Sequence, residues 1–287
     1  MTTLTPSPVH FARLVKLEHT VCALPFAYVG AVLAVGGVPG AADVLWIAVA
    51  MVGARSLAMA LNRLVDAGLD ARNPRTAGRE LPSGTLAPRH VGAFSALALL
   101  LFLVAVWQLD PIVRWLWPIP VALFAVYPYL KRFTWLCHLW LGASLGLAPA
   151  GAWVALTGEL PWQAWALGTA VALWVAGFDL FYSLFDVEHD RAEGLHSWAV
   201  RFGVRATFWG ARAFHLGTVA LFVAAGLGLD VGAAYWLGVA AAAGLLLYEH
   251  LIVRPDDLRR LDAAFFTVNG VISVVFFAFV LADALIG

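Results

Sequence analysis

Apolar residues in this chain come in long, nearly unbroken runs set off by short polar stretches, with no period-two alternation. A run of roughly 20 residues is the length of helix that crosses the hydrocarbon of a bilayer, where a helix satisfies its own backbone polar groups. Nine such segments are predicted, at 20–38, 43–65, 91–109, 112–128, 136–157, 162–185, 206–228, 232–252 and 263–285. A membrane β-barrel would need short strands of alternating hydrophobicity, and the Ala/Leu/Val runs are too long and uniform for that. Pro25, Pro118, Pro120 and Pro149 fall inside or beside the spans, and glycine is abundant. Both residues are commoner in membrane helices than in soluble ones, and small side chains let helices approach closely. The expected fold is all-α: a multispanning bundle of about nine transmembrane helices forming a single domain over residues 1–287.

The polar stretches orient that bundle. Arg72, Arg75, Arg79 and Arg89 separate spans two and three, and Lys131 and Arg132 separate four and five. Arg191, Arg201 and Arg205 separate six and seven, and Arg254, Arg259 and Arg260 separate eight and nine. The alternate loops carry only Asp110, Glu159 and Asp230. The positive-inside rule then places the N-terminus in the cytoplasm and the C-terminus outside, as an odd number of spans requires. Residues 66–90 and 186–205 make two long, charged, Pro/Gly-punctuated loops on the cytoplasmic side. Long loops in a compact protein are usually functional. They follow spans two and six, four helices apart, a spacing that hints at an internal two-fold repeat.

Composition excludes most other classes. Of 287 residues, 62% are hydrophobic and 13% charged, and the mean hydropathy is +0.84. An average soluble domain is about half apolar and about a quarter charged, so a soluble α/β enzyme is excluded. Disordered, collagen-like and disulfide-stapled chains are excluded too, since Cys22 and Cys137 are the only cysteines and read as packing residues. The net charge of zero points to no nucleic acid. Arg13, Lys16, Glu18 and His19 precede the first apolar run and no small-residue cleavage site follows it, so the start reads as mature chain rather than a cleaved signal. The expected location is the inner (cytoplasmic) membrane.

Span two ends in LNRLVDAGLDARNPRTAGRELPSG, in which Asn62, Asp66 and Asp70 are spaced i, i+4, i+8 and stack along one helix face. Span six ends in GFDLFYSLFDVEHDRAEGLHS, where Asp186 and Asp190 are again i, i+4, and Asp179 lies two turns earlier on the same side. Carboxylates crowded at membrane depth repel one another and cost several kcal/mol unless something positive sits between them. Magnesium suits, because it takes hard oxygen ligands and shares its shell with substrate phosphates. Arg55 lies two turns before Asn62, inside an apolar span, where an arginine needs a partner. Arg75 and Arg79 follow the first stripe, and Lys131 and Arg132 close YPYLKR. Arginine forks match phosphate geometry and lysine serves as a point charge. Carboxylate-held metal flanked by Arg and Lys at a membrane surface suits a diphosphate with an apolar tail.

The first motif resembles the asparagine-led, doubly aspartate signature of the UbiA-type membrane aromatic prenyltransferases, including the following RTAGRELPSG. Asp179, Tyr182, Asp186 and Asp190 are similar to that family's second aspartate motif, and Tyr127 to Arg132 to its tyrosine–lysine stretch. FDVEHDRAEGLHSWAVRFG looks closest to the branch of 4-hydroxybenzoate polyprenyltransferases and their relatives in menaquinone synthesis. Arg63 stands where many ubiquinone-pathway members carry an aspartate, so ligation by that extra carboxylate does not carry over.

The resemblance implies transfer of an isoprenyl chain from an allylic polyprenyl diphosphate to a ring carbon of a hydroxylated aromatic acid, either 4-hydroxybenzoate or a dihydroxynaphthoate, in quinone synthesis. It implies a cavity open to the cytoplasmic side and two magnesium ions (Mg2+) bound with the diphosphate. Asn62, Asp66 and Asp70 are then expected at one ion, and Asp186 and Asp190 at the other. Arg75, Arg79, Lys131 and Tyr127 are expected at the substrates. Asp179 or Tyr182 would steer or deprotonate the ring, and Arg55 would hold either the acceptor carboxylate or the diphosphate. Within the family, chlorophyll, haem and lipid-type prenyl transfer stay open. A polytopic transporter is the rival from another class, but no mid-span carboxylate relay supports it. His189 reads as a solvated neighbour of the second motif, Phe181 and Trp174 as packing. Glu249, His250 and Asn269 either line the cavity or pair between helices.

Overall fold

The computed structural model describes residues 7–253 and 267–287, and of 17–22 the backbone alone. Arg254, Arg259 and Arg260, and the side chains of Glu18, His19 and Cys22, lie outside the described residues. Twelve helices are found among the described residues: α1 (Pro8–Leu14), α2 (Leu17–Val35), α3 (Ala41–Arg72), α4 (Pro88–Gln108), α5 (Val113–Leu116), α6 (Pro118–Leu130), α7 (Cys137–Thr157), α8 (Trp162–Ser183), α9 (Val187–Ala192), α10 (Trp198–Leu227), α11 (Ala233–Ile252) and α12 (Asn269–Ile286). Seven of them, α3, α4, α7, α8, α10, α11 and α12, are long and apolar enough to cross a membrane, and α2 adds a shorter apolar stretch, Ala23–Val35. The predicted run at 112–128 divides into α5 and the 13-residue α6, because Pro118 cannot continue the preceding helix and instead starts a new one.

Local chemistry explains the ends that matter. At 32 residues, α3 is the longest helix, with Asp43 in its first turn and Arg72 in its last, each at the pole of the helix dipole that favours its sign. It therefore continues through Asp66 and Asp70, which the sequence reading had placed in a loop. In contrast, α8 stops at Ser183, where the Leu184 N–H bonds back to the carbonyls of Phe181 and Tyr182. Asp179 is thus on α8, while Asp186 stands just before the separate short helix α9, which carries Asp190. The continuous second stripe expected from spacing is broken at this turn. The second long loop is shorter than expected for the same kind of reason: α10 begins at Trp198, with Ser197 as N-cap, and tolerates a kink at Gly203 (φ 81°).

Packing in a membrane relies on close contact rather than on expulsion of water. On one side of α2 and α7 the core holds Phe26, Trp174, Phe222, Tyr235 and Phe276; on the other it holds Ala31, Ile47, Phe102, Val106 and Val154. Large apolar side chains such as Trp115 (84% exposed), Leu216 and Trp209 face outward, as a lipid solvent permits. The α7 and α8 backbones approach to direct contact. A Cβ at Gly142 would meet the Ala172 carbonyl oxygen at 2.2 Å, and one at Gly146 the Gly168 carbonyl oxygen at 2.4 Å. His138, Gly142 and Gly146 are spaced i, i+4, i+8 on α7, so the stripe that permits the approach also aims His138 at α8. The segment between α3 and α4 is pinned by Leu86, which is fully buried against Leu14, Ala60 and Val91.

Candidate active site

The C-terminal ends of α3, α6 and α8 and the N-terminal end of α7 meet at one end of the bundle, with the segments 73–87 and 184–197 folded over them. They enclose an open cleft of about 160 Å³ lined by Asn62, Asp66, Asp70, Arg75, Arg79, Tyr127, Lys131, Asp179, Tyr182, Asp186 and Asp190. Eleven of the twelve residues singled out in the sequence therefore share one cavity, although they come from segments more than a hundred positions apart. Arg55 does not line it. At 1.5 Å per residue it stands about 10 Å down the α3 axis from Asn62, below the cleft floor.

Asp66, Asp70, Asp186 and Asp190 are each held by an arginine or lysine. Asn62 Nδ2 donates to Asp66 Oδ2 at 3.0 Å, and Arg132 Nη2 donates to Asp66 Oδ1 at 3.1 Å and to the Val65 carbonyl at 2.9 Å. Asp70 takes Arg79 Nη1 on both oxygens, at 2.7 and 2.8 Å, with Arg63 Nη1 behind it at 3.9 Å. Arg75 grips Asp186 through Nε at 3.0 Å and through Nη2, and its Nη1 donates to the Tyr182 hydroxyl at 2.7 Å. Asn73 Nδ2 adds a bond to Asp186 Oδ1 at 3.0 Å. Asp190, only 2% exposed, pairs with Lys131 Nζ at 3.3 Å. The two motifs are thus tied to each other by residues of the intervening loop.

These pairs set the ionisation of the rim. Burial pushes the Asp186 carboxyl up, but the bonds from Arg75 and Asn73 and the charges of Arg75 and Lys131 outweigh it and leave its pKa below the ordinary value. Burial likewise pushes Lys131 down, and the neighbouring Asp190 and Asp186 carboxylates reverse that and hold it charged. At the mouth, Arg72 Nη2 and Glu193 Oε2 pair at 2.8 Å, an exposed contact that contributes little to stability.

Several residues that bond to the rim had no individual site role assigned from the sequence. Arg132, Arg63 and Asn73 hold carboxylates, and Thr76 Oγ1 donates to the Asp70 carbonyl at 2.9 Å. Arg63, Asn73 and Thr76 sit within or just after the first motif, so proximity in sequence was an available signal for them. His138, whose Nδ1 lies 2.7 Å from Asp179 Oδ2, carries no such signal. Glu249, His250 and Asn269 do not line the cleft; Asn269 Nδ2 bonds Glu249 Oε1 at 3.1 Å and Trp174 Nε1 bonds Asn269 Oδ1 at 2.8 Å, which is pairing between helices.

Among the described residues no three His, Cys, Asp or Glu side chains cluster closely enough to hold a metal by themselves. Carboxylates on facing walls suit instead an ion that shares its shell with a phosphate ligand, the habit of magnesium. In enclosed volume the cleft resembles a cavity of about 150 Å³ that takes one benzene. It has room for a polar head or a ring, and a long apolar chain must leave it toward the lipid.

Comparison with known proteins follows the same lines. The UbiA prenyltransferase family matches residues 23–279. A 4-hydroxybenzoate octaprenyltransferase of Nitrosospira multiformis is 33% identical over 285 residues, 97% of this chain and 97% of that one. Another protein of that name, from Cupriavidus necator, is 31% identical over 89% of this chain and 90% of its own. Among solved structures, the apo UbiA homolog of Aeropyrum pernix K1 superposes with a TM-score of 0.83 at 33% identity, covering 93% of this chain and 98% of that one. A UbiA homolog of Archaeoglobus fulgidus bound to GPP and Mg2+ has a TM-score of 0.76 at 18% identity, over 96% and 99% of the two chains, and so shares the fold.

Proposed function

Because the chain belongs to the UbiA prenyltransferase family, we propose that it moves a polyprenyl chain from an allylic diphosphate to a ring carbon of a hydroxylated aromatic acid, 4-hydroxybenzoate or a dihydroxynaphthoate. One observation carries this reading: four carboxylates from two distant segments line a single cleft, each already matched by an Arg or Lys. A trianionic diphosphate can enter only if its charge is met, and those cations can turn from carboxylate to phosphate when metal takes their place.

The residues present fit magnesium. Asn62, Asp66 and Asp70 would hold one ion, and Asp186 and Asp190 another. Bound there with the diphosphate, magnesium neutralises the charge that builds on the leaving group. Arg75, Arg79 and Lys131 bind diphosphate oxygens, Arg as a fork and Lys as a point charge. Arg132 and Arg63 balance the first motif from behind. Tyr127 and Tyr182 flank the space left for the acceptor ring, and Asp179 stands beside them to orient the ring or take its proton. Withdrawal of water from this space protects the allylic cation until the ring attacks. We further propose nine crossings, with α2 and α6 as the two shorter ones, and a cleft facing the cytoplasm.

The test uses the full chain in detergent with magnesium, geranylgeranyl diphosphate and each aromatic acid in turn, read by mass spectrometry. Ring-prenylated product with one acceptor, lost on chelation with EDTA and restored by added magnesium, is the expected result. Turnover unaffected by excess EDTA overturns the metal assignment; no product and no diphosphate release overturns the whole reading.

A further inference from the structure

His138 is the second residue of α7 and is 5% exposed. Its imidazole joins three elements. Nδ1 lies 2.7 Å from Asp179 Oδ2 on α8, and Nε2 lies 3.2 Å from the backbone nitrogen of Trp198, the first residue of α10. An amide N–H only donates, so Nε2 accepts and carries no proton. The one ring proton of a neutral imidazole is then on Nδ1, directed into the carboxylate. The contact at Nε2 also satisfies one of the N–H groups that every helix leaves open at its start. With both nitrogens engaged, the ring has no free position from which to exchange protons with a substrate. Asp179 lines the cleft and its side chain keeps 13% of its exposure, so a carboxylate that is held through Oδ2 still reaches the cavity.

We propose that His138 is a positioning residue which, as the neutral Nδ1–H tautomer, holds Asp179 Oδ2 so that Oδ1 takes the proton lost by the acceptor ring. This rests on the prenyl-transfer reading above. In the step, the C1–O bond breaks and diphosphate leaves with that electron pair, and a π pair of the ring then forms the bond from the ring carbon to C1 of the allylic cation. The proton on the attacked ring carbon then passes to Asp179 Oδ1, and the C–H electron pair restores the aromatic ring. Asp179 later returns the proton to water. A carboxylate with a freely turning χ2 would present either oxygen at any angle, whereas one anchored by a buried imidazole presents a single oxygen in one direction.

The test compares His138→Leu, which removes both hydrogen bonds, with His138→Asn, whose amide can donate in place of Nδ1–H. Prenylated product and prenyl alcohol from donor hydrolysis are measured separately. His138→Leu is expected to lower kcat for product by about 100-fold, the scale of a misplacement of about 1 Å. Donor KM stays unchanged and the share of donor lost to hydrolysis rises, because the diphosphate site is intact and only capture of the cation fails. His138→Asn is expected to recover most of the loss. A purely structural role would depress product and hydrolysis in proportion, with no rescue, and that outcome overturns the proposal, as does wild-type turnover in His138→Leu. The 15N resonances of histidine-labelled protein, with His138 assigned from the His138→Asn difference, read the pairing without any turnover. Neutral Nδ1–H supports the proposal, and Nε2–H or a doubly protonated ring overturns it even if no acceptor reacts. No product from wild type together with the expected resonance would instead count against the prenyl-transfer reading.

Discussion

Gly142→Ala adds one methyl group at the point where α7 and α8 come closest. That methyl would stand 2.2 Å from the Ala172 carbonyl oxygen and 3.1 Å from its carbon. Ordinary contacts between such atoms are about 3.5 Å, so the two helices must part by about 1 Å. Overpacking of this kind costs about 1–3 kcal/mol. The same displacement is passed one turn along α7 to His138, whose 2.7 Å bond to Asp179 would open to about 3.7 Å, beyond hydrogen-bonding distance. We therefore expect a melting temperature in detergent lower by several degrees and a product turnover lower by about 100-fold. Gly151→Ala is the matched control on the same helix, because nothing lies within 4 Å of a Cβ there; it should be neutral or stabilise by up to about 1 kcal/mol. If Gly142→Ala and Gly151→Ala behave alike in both assays, the close approach of α7 and α8 does not position the site and the reasoning fails.

Two further outcomes follow from the ion pairs. Asp66→Ala and Asp190→Ala should each abolish turnover while the protein still inserts, with Asp190→Ala also destabilising by about 1 kcal/mol because it strips the partner from the half-buried Lys131 ammonium; full activity in either would falsify the assignment of these carboxylates. The depressed pKa of Asp186 has a definite sign: its contribution is complete above the ordinary aspartate value near 4 and is lost as the pH falls through the lower folded-state value. The stability difference between wild type and Asp186→Asn, followed by melting temperature, should accordingly be constant at neutral pH and shrink on acidification below about pH 4; a difference that grows there contradicts the Arg75–Asp186 pairing as its cause.

Much of the site was legible because a motif is a local object. Asn62, Asp66 and Asp70 fall on one face of α3 by helical spacing alone, and the length of each apolar run brought most predicted spans within a few residues of an observed helix. Spacing misled where it assumed that a helix continues. Asp179 and Asp186 are seven residues apart, yet α8 ends between them, and Asp186 reaches the cleft from a turn. The apolar run misled in the other direction: it ends the second span at residue 65, whereas α3 continues through Asp66 and Asp70 to Arg72. A polar face at a helix end remains helical when cations from elsewhere cover it, and those cations are not visible locally.

By itself, the sequence determined the solvent of this protein, the approximate number of its apolar helices and the two acidic segments, because hydrophobic run length and the i, i+4 rule depend only on neighbours along the chain. Only the tertiary structure decided which charge meets which. Arg132 reaches Asp66 across 66 positions and Arg75 reaches Asp186 across 111, and the choice among the many arginines is made by where helices end and loops turn back. His138 stands at the limit of this division. Nothing near it in sequence marks it as functional, and it meets Asp179 only because Gly142 and Gly146 lack side chains and let two helices close to backbone contact. Contact across that gap is short-ranged, so it is set by three-dimensional packing and not by order along the chain.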